Sequence, residues 1–165
     1  MGKVYKYAAL GYAGEISRAV DDVVESFANA DNKDIGFGQP VFLNDAGTGC
    51  VGISSSSTAD KFVGITVRSG AKTPSVYDDP TGKDANSKAV YRPGEMMDVM
   101  KRGNIIMACS GSGPKPGNPV HFNKEYGIAS ASASDNTLTV PGINFHSGRD
   151  SNGMVEVSIN EKHIL

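Results

Sequence analysis

The sequence predicts an all-β fold: a β-barrel or sandwich built from two related halves, with an N-terminal arm and room for one short helix. Three observations predict it. The composition is rich in chain-reversing residues, with 20 Gly and 8 Pro, and has no Trp; short strands joined by Gly/Pro turns give this profile. The apolar residues fall in short patterned clusters, as in Met154-Val155-Glu156-Val157-Ser158-Ile159, which argues against a disordered chain. The chain also repeats itself at a nearly constant offset.

The repeat organises everything else. Gly38-Gln39-Pro40-Val41-Phe42-Leu43-Asn44 matches Gly117-Asn118-Pro119-Val120-His121-Phe122-Asn123, an offset of 79 from Gly38 to Gly117. Val63-Gly64-Ile65-Thr66-Val67-Arg68-Ser69-Gly70 matches Pro141-Gly142-Ile143-Asn144-Phe145-His146-Ser147-Gly148, an offset of 78 from Gly64 to Gly142. Two copies are too few for a solenoid but suit two related halves of one body, expected to be related by a pseudo-twofold. The predicted organisation is an arm over residues 1–20 and a single β domain over 21–165. Within it, half one covers about 23–70, a connecting loop 71–92, and half two about 96–165.

Taken in order, residues 1–20 are short on Leu, Ile and Val but carry Tyr5, Tyr7 and Tyr12. They read as an arm that crosses onto a neighbour, and Val4 to Ala8 has the β-propensity for strand addition. Ile16, Val20, Val23, Val24 and Phe27 fit a helical stripe. The repeat instead pairs residues 23–28 with the strand-like Asn104-Ile105-Ile106-Met107-Ala108-Cys109, which favours a strand with a short helix just before it. In each Gly-x-Pro-Val block a tight turn leads into a strand, and Pro is tolerated at a strand's first residue. Gly64 faces away from Ile65 and Val67, where a bulge or close backbone approach is expected. Residues 71–92 hold Pro74, Pro80 and Gly82 with few apolar residues and read as a long loop. Pro93-Gly94 introduces a strand over residues 96–100, and Arg102-Gly103 is expected to turn it into the next strand.

Size and charge set bounds on function. A chain of 165 residues suits one domain and should bury about 70% of its unfolded surface. Net charge is -2, with no basic stripe, so nucleic acid is not an expected partner. No apolar run is long enough for a membrane span, and no apolar stretch near the N-terminus suits a signal peptide. The protein is expected to be made in a cytoplasm. Cys50 and Cys109 are far apart and outside any C-x-x-C spacing. They read as buried free thiols, a disulfide being the competing reading.

Candidate chemistry is sparse. The serines at 54–57 lack a Gly-x-Ser-x-Gly elbow and read as a solvated loop. His121, His146 and His163 have no metal-ligand spacing. Asp21-Asp22 and Asp78-Asp79 are adjacent pairs whose side chains diverge, so they do not form an acid/base site. Gly47-Thr48-Gly49 and Gly111-Ser112-Gly113 lack the Lys-Ser/Thr ending of a phosphate loop. No enzyme activity, cofactor or metal is expected. What stands out is contact material. Met96, Met97 and Met100 suit either a core or an adaptable interface. Tyr5, Tyr7 and Tyr12 either pack internally or anchor the arm on a neighbour.

A family resemblance runs along most of the chain. Its landmarks are Gly14-Glu15-Ile16, Ile35-Gly36-Phe37-Gly38-Gln39-Pro40-Val41, Phe62-Val63-Gly64-Ile65 and Tyr91-Arg92-Pro93-Gly94-Glu95. They continue through Val99-Met100-Lys101-Arg102-Gly103-Asn104-Ile105, Pro116-Gly117-Asn118-Pro119-Val120, Val140-Pro141-Gly142-Ile143 and a last strand near Val155. In order and spacing these pieces resemble the structural cement proteins that decorate the heads of tailed bacteriophages. The chain departs from that pattern in having no Pro near Asp21-Asp22. The resemblance implies a non-catalytic β-barrel body with an N-terminal arm, located on the capsid surface of the virion and assembled in the host cytoplasm. It implies homotrimers at local threefold positions that clamp the major capsid protein. A phage tail or fibre component, or another non-catalytic β binding module, is the alternative.

Overall fold

The computed structural model describes residues 10–69, 90–111 and 113–160. Eleven strands follow one another: β1 Ile16–Ala28, β2 Ile35–Gly36, β3 Pro40–Leu43, β4 Cys50–Gly52, β5 Phe62–Thr66, β6 Val90–Tyr91, β7 Met96–Ser110, β8 Pro119–Asn123, β9 Ala129–Ser130, β10 Thr137–Phe145 and β11 Met154–Ile159. A single 3-10 turn, Ala59–Lys61, precedes β5. Among the described residues there is no α-helix, and the fold is all-β as the composition and repeat predict.

The pairings close into circuits. In the second half β7 pairs with β11, β11 with β10, β10 with β8, and β8 with β9. β9 then returns to β7 in parallel, Cys109 opposite Ala129. The first half repeats this path: β1 to β7, β7 to β5, β5 to β3, β3 to β4. Its last joint shrinks to one parallel bridge, Asn29 opposite Cys50. In the second half this closure removes the exposed edges that an open sheet presents, whereas in the first half β1 keeps an outer edge ahead of the Asn29 bridge.

The repeat read from sequence is carried at the level of individual residue pairs. Phe42 faces Val51 and Leu43 faces Cys50; 79 positions on, His121 faces Ser130 and Phe122 faces Ala129. Pro40 faces Ile65 and Pro119 faces Asn144, again 79 positions on. Asn29 N–H donates to Glu95 O at 2.8 Å, and Cys109 N–H donates to Gly153 O at 2.8 Å. Asn29 and Cys109 are thus equivalent, and so are Glu95 and Gly153.

Three expectations are corrected by this layout. Arg102-Gly103 does not turn the chain back, because β7 runs unbroken from Met96 to Ser110. Gly103 instead takes φ +129 and marks where β1 slips register, from Arg18 opposite Asn104 to Val23 opposite Arg102. Half two therefore does not begin at residue 96: the first part of β7 closes barrel one and the second part opens barrel two. The helical stripe is strand throughout, since Ile16–Ala28 is a single β element with no helix before Val23. That strand also begins inside the stretch assigned to the arm. Gly14 N–H donates to Ile106 O at 2.8 Å and Ile106 N–H donates to Glu15 O at 2.9 Å, so residues 14–20 belong to the body. Residues 70–89, most of the expected connecting loop, lie outside the described residues, while Tyr91 pairs with Ile35.

The core is continuous across both barrels. Phe42 packs edge-on against Phe62, with ring centroids 5.7 Å apart, and Phe62 stacks on Phe122 at 5.9 Å. A second cluster, including Ile35, Phe37, Val63, Tyr91, Met97 and Val99, fills barrel one. There the buried Tyr91 hydroxyl donates to Val67 O at 2.7 Å, which satisfies a polar group that would otherwise be costly to bury.

Candidate interaction surface

Two buried charges fix the outer strand β1 onto this body. Glu156 on β11, 5% exposed, accepts at Oε1 from Ser17 Oγ at 2.8 Å, Arg18 Nε at 2.8 Å and Asn104 Nδ2 at 3.3 Å. Burial pushes this carboxyl's pKa up, but the hydrogen bonds and charge of Arg18 and Ser17 outweigh it and hold the group below its ordinary value. Lys101, 1% exposed, reaches out to Glu25 Oε2 at 2.9 Å and lies over the Phe27 ring at 5.9 Å. Neither group was legible as buried in the sequence. Lys101 alternates with Met97 and Val99, which face barrel one, whereas Glu156 lies between the core residues Val155 and Val157 and is buried on the other face, where Ser17 and Arg18 cover it.

The sequence-predicted contact residues divide sharply. Tyr5 and Tyr7 lie outside the described residues. Tyr12 is 66% exposed, yet its ring is covered by the Arg68 guanidinium at 5.0 Å, which also lies 5.6 Å from Phe37. Its N–H donates to Glu15 Oε2 at 3.0 Å. Met96 is 59% exposed. Met97 and Met100 are 0% exposed and take the core reading, which corrects their place among the contact candidates. Met97 points into barrel one opposite its exposed neighbour Met96, as strand alternation requires, while Met100 packs in the cluster that spans both barrels.

Met96 borders an open, largely apolar cavity of about 470 Å³ together with Phe27, Ala28, Leu43 and the backbone of the β3–β4 turn at Thr48. Beside it runs the outer edge of β1, where Val24 is 40% exposed and Ser26 is exposed. Ser26 Oγ donates to Asp98 Oδ1 at 3.1 Å. Tyr126, 59% exposed, adds a third large side chain on barrel two. Sequence reading missed Val24, Ser26 and Tyr126. The pairing that equates Asn29 with Cys109 makes Ile106, 1% exposed, the counterpart of Ser26, an offset of 80 that the repeat in the sequence does not carry.

The polar features do not converge on a reacting centre. In the serine loop Ser54 N–H donates to Ser57 Oγ at 2.9 Å, and the Ser54 and Ser56 hydroxyls lie 3.0 Å apart. The charges beside this loop, Asp45 and Lys61, pair with each other. Among the described residues no group of three His, Cys, Asp or Glu is placed to hold a metal ion.

Comparison with known proteins adds the following. The profile of the phage structural cement protein family matches residues 2–160. A chain in the solved capsid of Myoviridae phage XM1 is 20% identical, with a TM-score of 0.73 over 97% of this chain and 96% of that one. At that identity the likeness establishes the fold. No curated protein sequence matches.

Proposed function

Because the chain belongs to the phage structural cement protein family, we propose that it binds the outer surface of the major capsid lattice and stabilises the mature head. It is a structural protein of the virion, located in the capsid. The observation that carries the proposal is the family match over residues 2–160. Supporting it is a body of two barrels sharing β7 that leaves Tyr12, Met96 and Tyr126 exposed, side chains rich in contact area for their entropy cost. The role is non-catalytic.

The finer reading is a homotrimer seated at local threefold positions, where each subunit bridges neighbouring copies of the major capsid protein. The arm is then the stretch before Gly14, which includes Tyr5, Tyr7 and Tyr12, and it reaches onto a neighbour. Adding the purified protein to heads that lack it, followed by sedimentation and cryo-electron microscopy, tests the proposal. Density at threefold positions and heads that resist heat at a higher temperature are expected. Failure to bind heads, or binding to tails instead, would overturn it.

A further inference from the structure

The two barrels are equivalent in pairing but not in coverage. In barrel two the outer edge of β7 at Ile106 is occupied by the chain's own residues 14–18. Ile106 donates to Glu15 O at 2.9 Å and accepts from Gly14 N–H at 2.8 Å, and Ile16 lies opposite Ile105. The groove alongside is filled as well, since Gln39 Nε2 donates to Tyr126 O at 3.2 Å.

In barrel one the equivalent edge is open at Val24 and Ser26, and only beyond them does Ala28 lie against Gly49 and Cys50 at the Asn29 bridge. Asn29, the counterpart of Cys109, donates to Glu95 O and accepts from Gly94 N–H, both at 2.8 Å. Strand alternation then turns the backbone groups of Phe27 and Glu25 toward β7, and those of Val24, Ser26 and Ala28 outward. The register from Val24 opposite Met100 to Ala28 opposite Met96 is unbroken, so the alternation holds over the whole stretch. Ser26 stands where Ile106 stands, yet it is exposed. The cavity between Phe27, Leu43, Thr48 and Met96 stands where Gln39 packs in barrel two. An exposed edge beside an apolar groove is the usual receptor for strand addition.

We infer that this β1 edge at residues 24–26, with the Met96 groove, receives the N-terminal segment of a second copy of the chain, residues 4–8 adding as an antiparallel strand. The inference rests on the cement reading for its setting and names the surface that the arm engages. Residues 1–9 lie outside the described structure and end at Leu10, which is held by its N–H to Asp150 Oδ2 at 3.0 Å. Asp150 sits by the Cys109 end of β7, whereas Ser26 lies opposite Asp98 near the other end. From Leu10 back to Lys6 the chain spans about 14 Å at most. Asp98 and Cys109 are eleven positions apart on β7, a contour of about 36 Å at strand rise that the bend at Gly103 shortens in space. The chain's own arm is tied by Leu10 at the far end of this strand, and a neighbour's arm is free of that anchor. Charge agrees: residues 1–9 carry Lys3 and Lys6 and no acid, and the edge carries Asp98 and Glu25, the latter already paired with Lys101. Donor segment and receptor edge are different surfaces, so the contact is head-to-tail and closes a ring when the rotation suits, as a trimer requires.

The test places a photoreactive benzophenone side chain at Tyr5 or Tyr7 in the full chain. Equal amounts of 14N- and 15N-labelled protein are mixed, irradiated in concentrated solution and on decorated heads, and mapped by mass spectrometry. Crosslinks between copies of different label, landing on residues 24–28, 43–49 or Met96, are expected in at least one setting. Ser26→Pro removes an outward N–H without touching the β1–β7 ladder, and Thr48→Trp fills the groove. Each should cut those crosslinks at least fivefold while the fold, checked by circular dichroism, persists. Crosslinks confined to one copy, to other surfaces or to the major capsid protein alone would overturn the inference, as would none at all. Decoration of heads is scored separately. Normal decoration with the wrong crosslinks sinks this inference alone, and loss of decoration with the right crosslinks sinks the cement reading alone.

Discussion

Arg18 and Glu156, 138 positions apart, meet at 2.8 Å across the seam between β1 and β11. The contact pins the start of β1 to barrel two, and its pH dependence has a definite sign. The folded-state carboxyl titrates below its ordinary 4.5, so its stabilisation is present above that value and is lost as pH falls through the folded-state value. Melting temperature should therefore be insensitive to this group at neutral pH and drop below about pH 4.5. Glu156→Gln should flatten part of that acid limb. Glu156→Ala should cost about 1–3 kcal/mol at pH 7, the lower end favoured because Arg18 is largely exposed. Thermal melts of the three proteins from pH 3 to 8 check this.

Truncation should separate arm from body. Removing residues 2–9 spares every hydrogen bond described for residues 10–20, so the shortened chain should stay folded and bind heads more weakly. Removing residues 2–20 strips Gly14 and Glu15 from Ile106 and Ser17 and Arg18 from Glu156. It leaves Glu156 without its cationic partner, with Asn104 alone of the three donors described above, which is destabilising. Solubility and chemical-denaturation curves of both truncations distinguish the outcomes.

Gly64 should tolerate no side chain. A Cβ there would lie 2.2 Å from Met100 O and 2.7 Å from Val99 Cγ1, so β5 and β7 would have to part. Gly64→Ala should cost about 1–3 kcal/mol, lowering the melting temperature by several degrees. Gly94→Ala is the control for space, since nothing lies within 4 Å of a Cβ there, although its φ of +81 carries its own smaller penalty.

Adjacent methionines should behave oppositely. Met97→Ala should cost about 2–5 kcal/mol by leaving a cavity, whereas Met96→Ala should stay within about 0.5 kcal/mol. Met96→Asp should keep the fold and weaken association, read by sedimentation velocity and head binding.

Both cysteines should be thiols that the native protein conceals. Cys50 and Cys109 are free and buried. Burial pushes the Cys50 thiol up to about 12 and also raises that of Cys109, so little thiolate exists at pH 8. Thiol titration should find neither in the native state and both in denaturant without reductant. A single intact disulfide by mass would contradict this.

Much of this fold was legible because the repeat offset preserves strand register, and register is set by alternating burial. Phe42 opposite Val51 and His121 opposite Ser130 are the same instruction written twice. The turn expected at Arg102-Gly103 failed because a glycine at positive φ either reverses a chain or bends it, and local sequence does not say which. The stripe from Ile16 to Phe27 was ambiguous because its two ends serve different barrels, with a slip between them. The contact surface was only half legible. Alternation separates Met96 from Met97, but which side of a strand faces the core, and which edge is covered, is decided by tertiary pairing.

Sharing β7 has a mechanical meaning. Two domains joined by a linker flex at the linker, and a load on one reaches the other only after the slack is taken up. Here fifteen residues of one strand, about 50 Å at strand rise, form a wall of each barrel in turn. Tension entering at one end is passed along a continuous backbone braced on both sides, with β1 and β5 gripping one part and β11 and β9 the other. With β7 common to both barrels, the described residues offer no linker between them at which one barrel could swing on the other.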